Sequence, residues 1–433
     1  MSATVEQVQA AVAQVIEARE RLLSRRTTGE IIQALATAAA SWLEPDSPWR
    51  ARAVAEAPQP TGFSPQMVEE AVRLTFAPIT TAALGELVDR ELADRHALDG
   101  FCRQGSVTAR ATGPRVIAQF LAGNVPSPGI VSLCIGLILR AGNLVKLSSH
   151  DPVFPSLFLE SVRAVDSELA SCAVALSWPR TETAVTQAAL AAADAIIAYG
   201  DDFTLRSLKQ MAPPSAVFLG YGHKVSFGVI TRAALAAENL PALCEAVAFD
   251  VSVYDQQGCL SPHVLYVEER GEISPRKFCA ALAEAMAAYH TRVPTGPLTD
   301  EEAAQITMVR LGYEFRSETD KRVAVWASDR PNEWAVIYDD DPAFTPSCLN
   351  RIVFVKPTDG FKRVLSSVQR FASQIACVGV APFDERAAEF AAQLARLGIH
   401  RVCPLGQMQR PPLSWHHEGR GRLGQLVRWT DLG

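Results

Sequence analysis

The chain has 433 residues, which is long enough for two or three domains with a sizeable core. Apolar residues make up 48%, charged residues 20% and aromatic residues 7%, a composition typical of a soluble globular protein. The net charge of −6 argues against a large basic face for phosphate backbones, so we set nucleic acid aside as a partner.

The first hundred residues are predicted to be helical. Thr27 and Glu30 have the spacing of a capping box in front of an alanine-rich apolar run. Ser64 is placed to cap a later helix that carries Pro65 at its first position. The opening segment has no basic stretch followed by an apolar one, so we expect no secretory signal.

From about residue 114, strand-like runs alternate with helices, a pattern that predicts a parallel, doubly wound sheet. In such sheets ligands bind at the carboxyl ends of the strands. One apolar helix begins at Pro128 and is expected to end at Gly142, a candidate left-handed cap. This helix contains the longest apolar stretch of the chain, 129–139, which stops at Arg140. That stretch is too short to cross a bilayer, so we expect no membrane span.

A second α/β stretch begins near residue 250. Its predicted strands are "HVLYVEE", "WAVIYD", "RIVFVKP", "QIACVGVA" and "HRVCPL", and its predicted helices lie near 274–289, 299–310, 358–371 and 383–397. The segment "GRGRLG" (419–424) matches the dinucleotide fingerprint letter for letter. It lacks the preceding strand and following helix that the fingerprint needs, so we interpret it as a tail loop.

The nine cysteines are odd in number and show no CxxC spacing. A zinc site or a disulfide framework therefore finds no support, and a reducing cytoplasm fits best. Most of them, such as Cys134 and Cys377, lie in apolar runs typical of small buried hydrophobes. Cys259 differs, because it lies between the polar run 255–258 and the strand-like run 263–267. His263 begins that strand, and we interpret it as structural rather than as a base.

Three strand-to-helix corners could carry chemistry. Asn124 in "FLAGNVPSPG" offers an uncharged amide donor of the kind an oxyanion hole needs, or it ties down its own turn. Lys146 in "NLVKLSSHDP" lies where cofactor hydroxyls and phosphates bind, or it is a solvated charge. Gly200 in "AYGDDF" is a third corner of this kind. Taken singly, none of these corners decides the function.

Taken together, the segments resemble one family. "AGNVPSPGIVSLCIGLILRAGNLVKLSSHDP", "AIIAYG", "KVSFGVI", "YDQQGCLSPHVLYVE" and "RVCPLGQMQRPPLSWHHEGR" resemble the acyl-CoA reductases of the bacterial luminescence type. These are distant members of the aldehyde dehydrogenase superfamily. The resemblance runs from about residue 100 to the carboxyl terminus. The order of the blocks is more specific than any one of them.

The resemblance implies a role for four residues. Cys259 would be the acyl-accepting nucleophile, and Asn124 the oxyanion-hole asparagine. Lys146 would hydrogen-bond the adenosine ribose of the cofactor, and Gly200 would lie near its pyrophosphate. Further expected cofactor contacts are Ser148, Ser149, Phe227 and Gly228. No metal ligand is implied.

The sequence also departs from the superfamily. Many NAD-preferring relatives carry glutamate where this chain has Ser149, so NADPH is favoured over NADH. Hydrolytic relatives carry a general-base glutamate where this chain has Ser226, so water is poorly activated here. Asp201 and Asp202 place acid near the expected pyrophosphate, and we interpret Asp202 as a helix cap. The paired histidines His416 and His417 are interpreted as structural.

The fold class expected from the resemblance is α/β and aldehyde-dehydrogenase-like. A helical region would cover residues 1–100, and a Rossmann-like NADP-binding domain would cover residues 101–248. A catalytic α/β domain that carries Cys259 would cover residues 249–405. Residues 406–433 would form a tail that packs back on the body.

The implied activity is NADPH-dependent reduction of an acyl thioester, presented by coenzyme A or an acyl-carrier protein, to an aldehyde. A homo-oligomer and an acyl-transferring partner enzyme are further expectations. Two alternatives stay open: an acyltransferase or thioesterase that uses the same cysteine without a redox step, and an inactive acyl-CoA-binding scaffold.

Overall fold

The protein is described from a computed structural model that covers residues 2–23 and 25–433. Backbone contacts divide the chain into two compact units. The first unit contains the described residues up to 61, then 68–222 and 412–433, and the second contains 62–67 and 223–411.

Sixteen α-helices lie in the described part of the chain. They are α1 Val5–Leu23, α2 Thr28–Ser41, α3 Pro48–Glu56, α4 Pro58–Thr61, α5 Pro65–Phe76, α6 Thr81–Leu92, α7 Ser127–Ile138, α8 Val153–Val165, α9 Ser167–Ser171, α10 Thr183–Ala191, α11 Asp202–Met211, α12 Leu240–Ser252, α13 Pro275–Arg292, α14 Asp300–Thr319, α15 Phe361–Val368 and α16 Glu385–Arg396.

Fifteen β-strands complete the described elements. They are β1 Cys102–Gln104, β2 Val107–Thr112, β3 Val116–Phe120, β4 Gly142–Lys146, β5 Ala173–Leu176, β6 Ala195–Tyr199, β7 Val217–Tyr221, β8 Val225–Ile230, β9 Pro262–Glu268, β10 Val323–Ala327, β11 Ala335–Asp339, β12 Ile352–Thr358, β13 Ile375–Ala381, β14 Val402–Pro404 and β15 Arg428–Leu432.

The amino-terminal helices begin where the capping residues predict. Thr27 caps α2 in a full capping box, in which the Glu30 carboxylate accepts from the Thr27 backbone N–H at 2.7 Å. The Ser64 hydroxyl accepts from the Met67 backbone N–H at 3.2 Å at the start of α5. Both predicted helix starts are therefore confirmed.

A five-stranded parallel sheet forms the centre of the first unit, in the order β5-β4-β3-β6-β7. The chain runs from β3 to one edge and then returns to the other side of β3. This is the order of a doubly wound sheet, whose ligand crevice lies where the direction reverses. The predicted doubly wound sheet is therefore present.

Helix α7 is buried along nearly its whole length, as an apolar helix without a polar face should be. It ends at Ile138, four residues before the expected end at Gly142. The left-handed residue is Arg140, with φ of 56°, at a helix end closed by the Ala141 backbone N–H, which donates to the Gly136 carbonyl at 3.0 Å. Its buried guanidinium pairs with Asp99. Gly142 instead begins β4.

A second sheet in the first unit is small and antiparallel, in the order β1-β2-β15. Strand β15 comes from the carboxyl-terminal end of the chain and pairs along β2, Trp429 opposite Ala111. All five residues of β15 are exposed.

The second unit contains a seven-stranded sheet in the order β10-β11-β12-β9-β8-β13-β14. Every neighbouring pair is parallel except β10 with β11. The core on this sheet includes Phe227, Tyr266, Phe354 and Phe390. Because β8 pairs with β9 and β13, residues 223–248 belong to this unit, which differs from the expected domain boundary after 248.

The expected carboxyl-terminal tail, 406–433, is also divided. Residues 406–411 belong to the second unit, where the buried Asp250 carboxylate accepts from the backbone N–H of Gly406 and, at 3.1 Å, from that of Met408. Residues 412–433 belong to the first unit.

No single helix among the described residues is long and apolar enough to span a membrane, although the bent pair α5 and α6 reaches that length and composition jointly.

Candidate active site

The corner after β3 holds Asn124. Its loop packs tightly against the segment after β4, because a β-carbon on Gly123 would overlap Ser148 Oγ and lie 2.6 Å from His150 Cβ. Only glycine fits this close approach. The loop therefore brings Asn124, which is exposed, to the same edge of the sheet as the end of β4.

Lys146 is the last residue of β4 and lies beside Phe120, the last residue of β3. Its ammonium is half-buried, donates to the Leu147 carbonyl at 3.2 Å and lies 6.0 Å from the Trp178 ring centroid. Desolvation lowers the pKa of this ammonium. Ser148 is half-buried and Ser149 is exposed on the loop that follows.

The third corner joins β6 to α11 at Gly200. Its backbone N–H donates to the Tyr221 carbonyl at 3.2 Å. A β-carbon here would lie 3.1 Å from Thr204 Cγ2, which is a tight contact. The cap of α11 is Asp201 rather than the predicted Asp202, because the Asp201 carboxylate accepts from the Thr204 backbone N–H at 2.6 Å. Thus one of the two acidic residues is engaged in capping.

These three corners lie at one edge of one sheet. Strands β3, β4 and β6 are parallel neighbours, so the ends that carry Asn124, Lys146 and Gly200 face the same side. The sequence pattern at the strand ends predicts this edge without the strand order.

Phe227 and Gly228, two of the expected cofactor contacts, lie elsewhere. Both are in β8 of the second unit, and Phe227 is fully buried against Tyr266 and Phe344. Gly228 faces Leu265 and Leu405. The expected contact of these two residues with the cofactor stays a prediction.

Cys259 lies in the loop just before β9. It is half-buried, and its carbonyl accepts from the Ser226 hydroxyl at 2.8 Å. The same Ser226 oxygen accepts from the Cys377 backbone N–H at 3.1 Å. The Ser226 hydroxyl therefore connects the cysteine loop to β13 of the sheet.

The nine cysteines are all free thiols, and most are unsuited to nucleophilic attack. Burial raises the pKa of Cys134 and of Cys244 to about 12 and that of Cys172 to about 11. Among the half-buried cysteines, burial also raises the pKa of Cys348 to about 11. The thiolate is the reactive form, so these positions are inert at neutral pH.

The segment before Cys259 has an unusual backbone. Tyr254, Asp255 and Gln256 all have positive φ, at 56°, 48° and 63°. A second such segment, Leu349–Arg351, has φ of 65°, 52° and 64°. Each left-handed residue other than glycine costs about 1–2 kcal/mol, so both segments need strong local contacts.

Those contacts join the two segments to each other. The Asn350 backbone N–H donates to the Asp255 carbonyl at 3.0 Å. Arg351 Nε donates to Asp255 Oδ1 at 2.8 Å, and the two charged side chains are almost completely buried. Burial raises the pKa of the Asp255 carboxyl, while the adjacent Arg351 guanidinium opposes that rise. No pattern in the sequence singles out Asp255 or Arg351 as functional.

Two histidines are held in structural contacts, in agreement with their interpretation. His263 Nδ1 accepts from the Ser347 backbone N–H at 3.1 Å, and burial lowers the pKa of the ring to about 4. The ring of His417 stacks 4.3 Å from that of Tyr221, and burial lowers the pKa of His417.

The glycine-rich tail loop binds a side chain of the protein itself. The backbone N–H groups of Arg422, Leu423 and Gly424 donate to the Glu91 carboxylate at 2.9, 2.8 and 2.7 Å. The anion held by "GRGRLG" is therefore a carboxylate, and its interpretation as a tail loop is confirmed. Within the described residues, no cluster of three or more histidine, cysteine or acidic side chains could hold a metal ion.

Comparison with known proteins gives one family. The family model for LuxC, described as acyl-CoA reductase, matches residues 23–429. A long-chain acyl-protein thioester reductase of Aliivibrio fischeri is 25% identical over 411 residues, covering 93% of this chain and 81% of that protein. The protein of the same name from Vibrio harveyi is 25% identical over 374 residues, covering 86% of this chain and 75% of its own.

Solved structures share the fold at low identity. An NAD-dependent benzaldehyde dehydrogenase from Corynebacterium glutamicum matches with a TM-score of 0.71 at 14% identity, covering 100% of this chain and 91% of that one. Aldehyde dehydrogenase 21 from Physcomitrella patens matches with a TM-score of 0.73 at 12% identity and the same coverage. The chain therefore has the α/β fold of the aldehyde dehydrogenases, as the resemblance implied.

Proposed function

The chain belongs to the acyl-CoA reductase (LuxC) family, and from this premise we propose that it reduces an acyl thioester to an aldehyde with NADPH, through a covalent thioester on Cys259. The observation that carries the proposal is the setting of Cys259. This half-buried thiol follows a rigidly held turn, and the position of the hydrolytic glutamate is Ser226.

The first step is thioester exchange. The Cys259 sulfur attacks the carbonyl carbon of the acyl donor, the bond from that carbon to the donor sulfur breaks, and the donor leaves as a thiol after taking a proton. Thiolates are intrinsically good nucleophiles and exchange between thioesters is nearly isoenergetic. The side-chain amide of Asn124 donates to the oxyanion, a role that the family resemblance supports.

The residues of the first unit fit a nicotinamide cofactor. Lys146 offers a partly desolvated ammonium at the carboxyl end of β4, which suits ribose hydroxyls. Ser149 is exposed and uncharged, which leaves room for a 2′-phosphate and favours NADPH. The tight backbone corner at Gly200 suits a pyrophosphate, while Asp201 is engaged in capping.

When bound, NADPH supplies the hydride that reduces the acyl carbon by two electrons. The Cys259 sulfur then leaves as a thiolate, and its departure releases the aldehyde. Because Ser226 has no carboxylate, water is poorly activated against the acyl group on Cys259. The thioester can therefore persist until reduction.

The names of the relatives support the choice of substrate class. They are long-chain acyl-protein thioester reductases, and we propose that this chain also accepts a long-chain acyl group from a thiol carrier, either coenzyme A or an acyl-carrier protein.

Intact-mass spectrometry after incubation with a panel of acyl-CoAs, without NADPH, tests the proposal. We expect a mass increase equal to one acyl group, and this increase should be lost in Cys259→Ala. The fraction of protein that carries the acyl group should be largest for long chains. An adduct that persists in Cys259→Ala would contradict the proposal. Release of coenzyme A without an adduct, and without NADPH consumption in a second incubation that contains NADPH, would instead indicate a thioesterase or acyltransferase.

A further inference from the structure

Two left-handed turns face each other in the second unit, and neither contains glycine. The first, defined here as the cysteine turn, is Tyr254–Gln256, and the second, the partner turn, is Leu349–Arg351. Residues with a β-carbon rarely adopt positive φ even singly. Six such residues in two contiguous runs must be imposed by their contacts.

Hydrogen bonds lock one turn against the other. In addition to the Asn350 bond to the Asp255 carbonyl, the Ile352 backbone N–H donates to Gln256 Oε1 at 3.1 Å. The Gln257 side-chain amide donates to Asn350 Oδ1 at 3.3 Å. Each turn is therefore hydrogen-bonded to the other turn or to the residue that follows it.

A buried ion pair completes the lock. Arg351 Nη2 lies 2.7 Å from Asp255 Oδ1, and Arg351 is fully buried. The other end of the guanidinium, Nη1, donates to the Val293 carbonyl at 2.8 Å and lies 3.4 Å from His290 Nδ1. A buried ion pair adds little stability, because both charges lose their hydration. The planar guanidinium of arginine has its donors in fixed directions and therefore favours one arrangement of the groups around it.

The paired cysteine turn and partner turn are directly connected to Cys259. Only Gln257 and Gly258 separate the cysteine turn from the thiol. On the far side, the Gln256 side-chain amide donates to the Pro262 carbonyl at 2.9 Å, and Ser226 holds the Cys259 carbonyl. The short loop 257–261 is thus fixed at both ends, and the cysteine turn sets its direction.

We propose that Asp255 and Arg351 are positioning residues for Cys259: their ion pair holds the two left-handed turns together and so aims the thiol. The proposal rests on the proposed function, in which Cys259 is the nucleophile. Neither residue touches the reacting atoms, and both act through the loop. Misplacing a reacting group by about 1 Å can reduce a rate on the order of 100-fold.

The test separates positioning from folding by measuring an amplitude and a rate constant. Samples of the full chain are quenched at intervals after mixing with a long-chain acyl-CoA or, in parallel, with iodoacetamide. Intact mass follows acylation, and the mass of the proteolytic peptide that carries Cys259 follows alkylation, because all nine cysteines are free thiols. The amplitude is the fraction of protein in which the buried Cys134 stays unalkylated, and it reports how much protein is folded. The rate constant reports how well the thiol is placed.

The main variant is the uncharged pair Asp255→Asn with Arg351→Met, and its matched control is Asp339→Asn with Lys356→Met. The control removes another buried ion pair of the same sheet, in which the charged atoms lie 3.3 Å apart. Lys356 is on β12, five residues beyond Arg351 and away from the cysteine turn.

We expect the main variant to keep its amplitude and to lose about 10- to 100-fold in both rate constants. The control should change by less than about twofold, since a distant pair affects stability rather than placement. Arg351→Lys, which keeps the charge but cannot reach both Asp255 and Val293, should lie between them. Adding Leu349→Gly to Arg351→Lys should recover part of the rate, because glycine adopts positive φ without strain.

Equal rate constants in the main variant and its control would overturn the proposal, as would a loss confined to amplitude. If the main variant does not fold, Arg351→Lys with and without Leu349→Gly decides the question by the same readouts. Iodoacetamide keeps the two hypotheses distinct. If wild-type Cys259 reacts with iodoacetamide but never with acyl-CoA, the proposed function fails while the positioning proposal is still decided.

Discussion

In the first unit, Asn124, Lys146 and Gly200 follow the carboxyl ends of three parallel strands, whereas in the second unit Cys259 precedes the amino end of β9. The first arrangement uses ordinary strand-to-helix corners, in which the backbone is unstrained and glycine appears where space is tight. The second uses left-handed turns without glycine and a buried ion pair. The proposed binding edge is thus one that any doubly wound sheet offers, whereas the proposed nucleophile follows a backbone that needs dedicated contacts.

The largest expected effect breaks the second region. Cys259→Ala should abolish the acyl adduct and reduce NADPH-dependent aldehyde formation by about 10⁴-fold or more, because the covalent route is removed. Cys348→Ala is the matched control, since Cys348 is also half-buried in the same unit. Aldehyde formation and intact mass are the measurements, and comparable losses in both variants would sink the assignment of Cys259.

The next effect tests whether a residue of the first unit takes part in acyl chemistry. Asn124→Ala should lower kcat by about 100- to 1,000-fold, the usual loss for one oxyanion donor. It should slow adduct formation as well as aldehyde formation. Asn239→Ala provides the control, because Asn239 is exposed and makes no side-chain cap bond. If Asn124→Ala leaves the rate of acylation unchanged, Asn124 has only a structural role in its loop.

A smaller effect should be limited to the cofactor. Ser149→Glu places a carboxylate near the expected 2′-phosphate, so the kcat/KM ratio of NADPH to NADH should fall about 10- to 100-fold. Adduct formation without cofactor should be unchanged, which would separate the roles of the two regions. Ser366→Glu, at an exposed serine of the second unit, is the control. Steady-state kinetics with both cofactors give the ratio, and an unaltered ratio would remove Ser149 from the cofactor site.

The smallest effect is a pH dependence of stability in the first unit. Burial raises the pKa of Asp151 to about 7, while its carboxylate accepts from the Phe154 backbone N–H at 3.0 Å. A raised folded-state pKa adds stability that is fully present below the unfolded value, near 3.9, and is lost as pH rises through about 7.

Asp151 should therefore make the free energy of unfolding about 1 kcal/mol lower at pH 8 than at pH 6. Asp151→Asn keeps the hydrogen-bond acceptor and should lose this share of the pH dependence. Asp250 in the second unit, whose pKa burial also raises to about 7, should retain its own share. Urea unfolding at both pH values measures the difference. An identical pH dependence in wild type and Asp151→Asn would exclude the Asp151 contribution.

Much of the fold could be predicted from periodicity and capping. Thr27, Ser64 and the alternation of strands with helices after residue 114 carry local signals that do not depend on distant contacts. The end of α7 could not be predicted, because its left-handed cap is Arg140 rather than a glycine, and the Asp99 contact of its guanidinium is non-local. The placement of β8 depends on pairing with β9 and β13, which is also non-local.

The site divides in the same way. Lys146 and Gly200 could be located because corners at strand ends have a local pattern. The packing of Phe227 and Gly228 within the sheet could not be predicted, because it depends on residues that are distant in the chain, such as Leu405. Arg351 gave no signal at all, since its partner Asp255 lies 96 residues away in the chain. The polar run before Cys259 is visible in the sequence, but its left-handed backbone is not.

The most direct test of the central claim is a chase of the isolated acyl-enzyme. The chain is acylated with a long-chain acyl-CoA, freed of excess donor and mixed with NADPH. The account predicts one aldehyde and one oxidised cofactor for each acyl group lost from Cys259, and a stable adduct when NADPH is omitted. Conversion of the adduct to free fatty acid at the same rate with and without NADPH would contradict it.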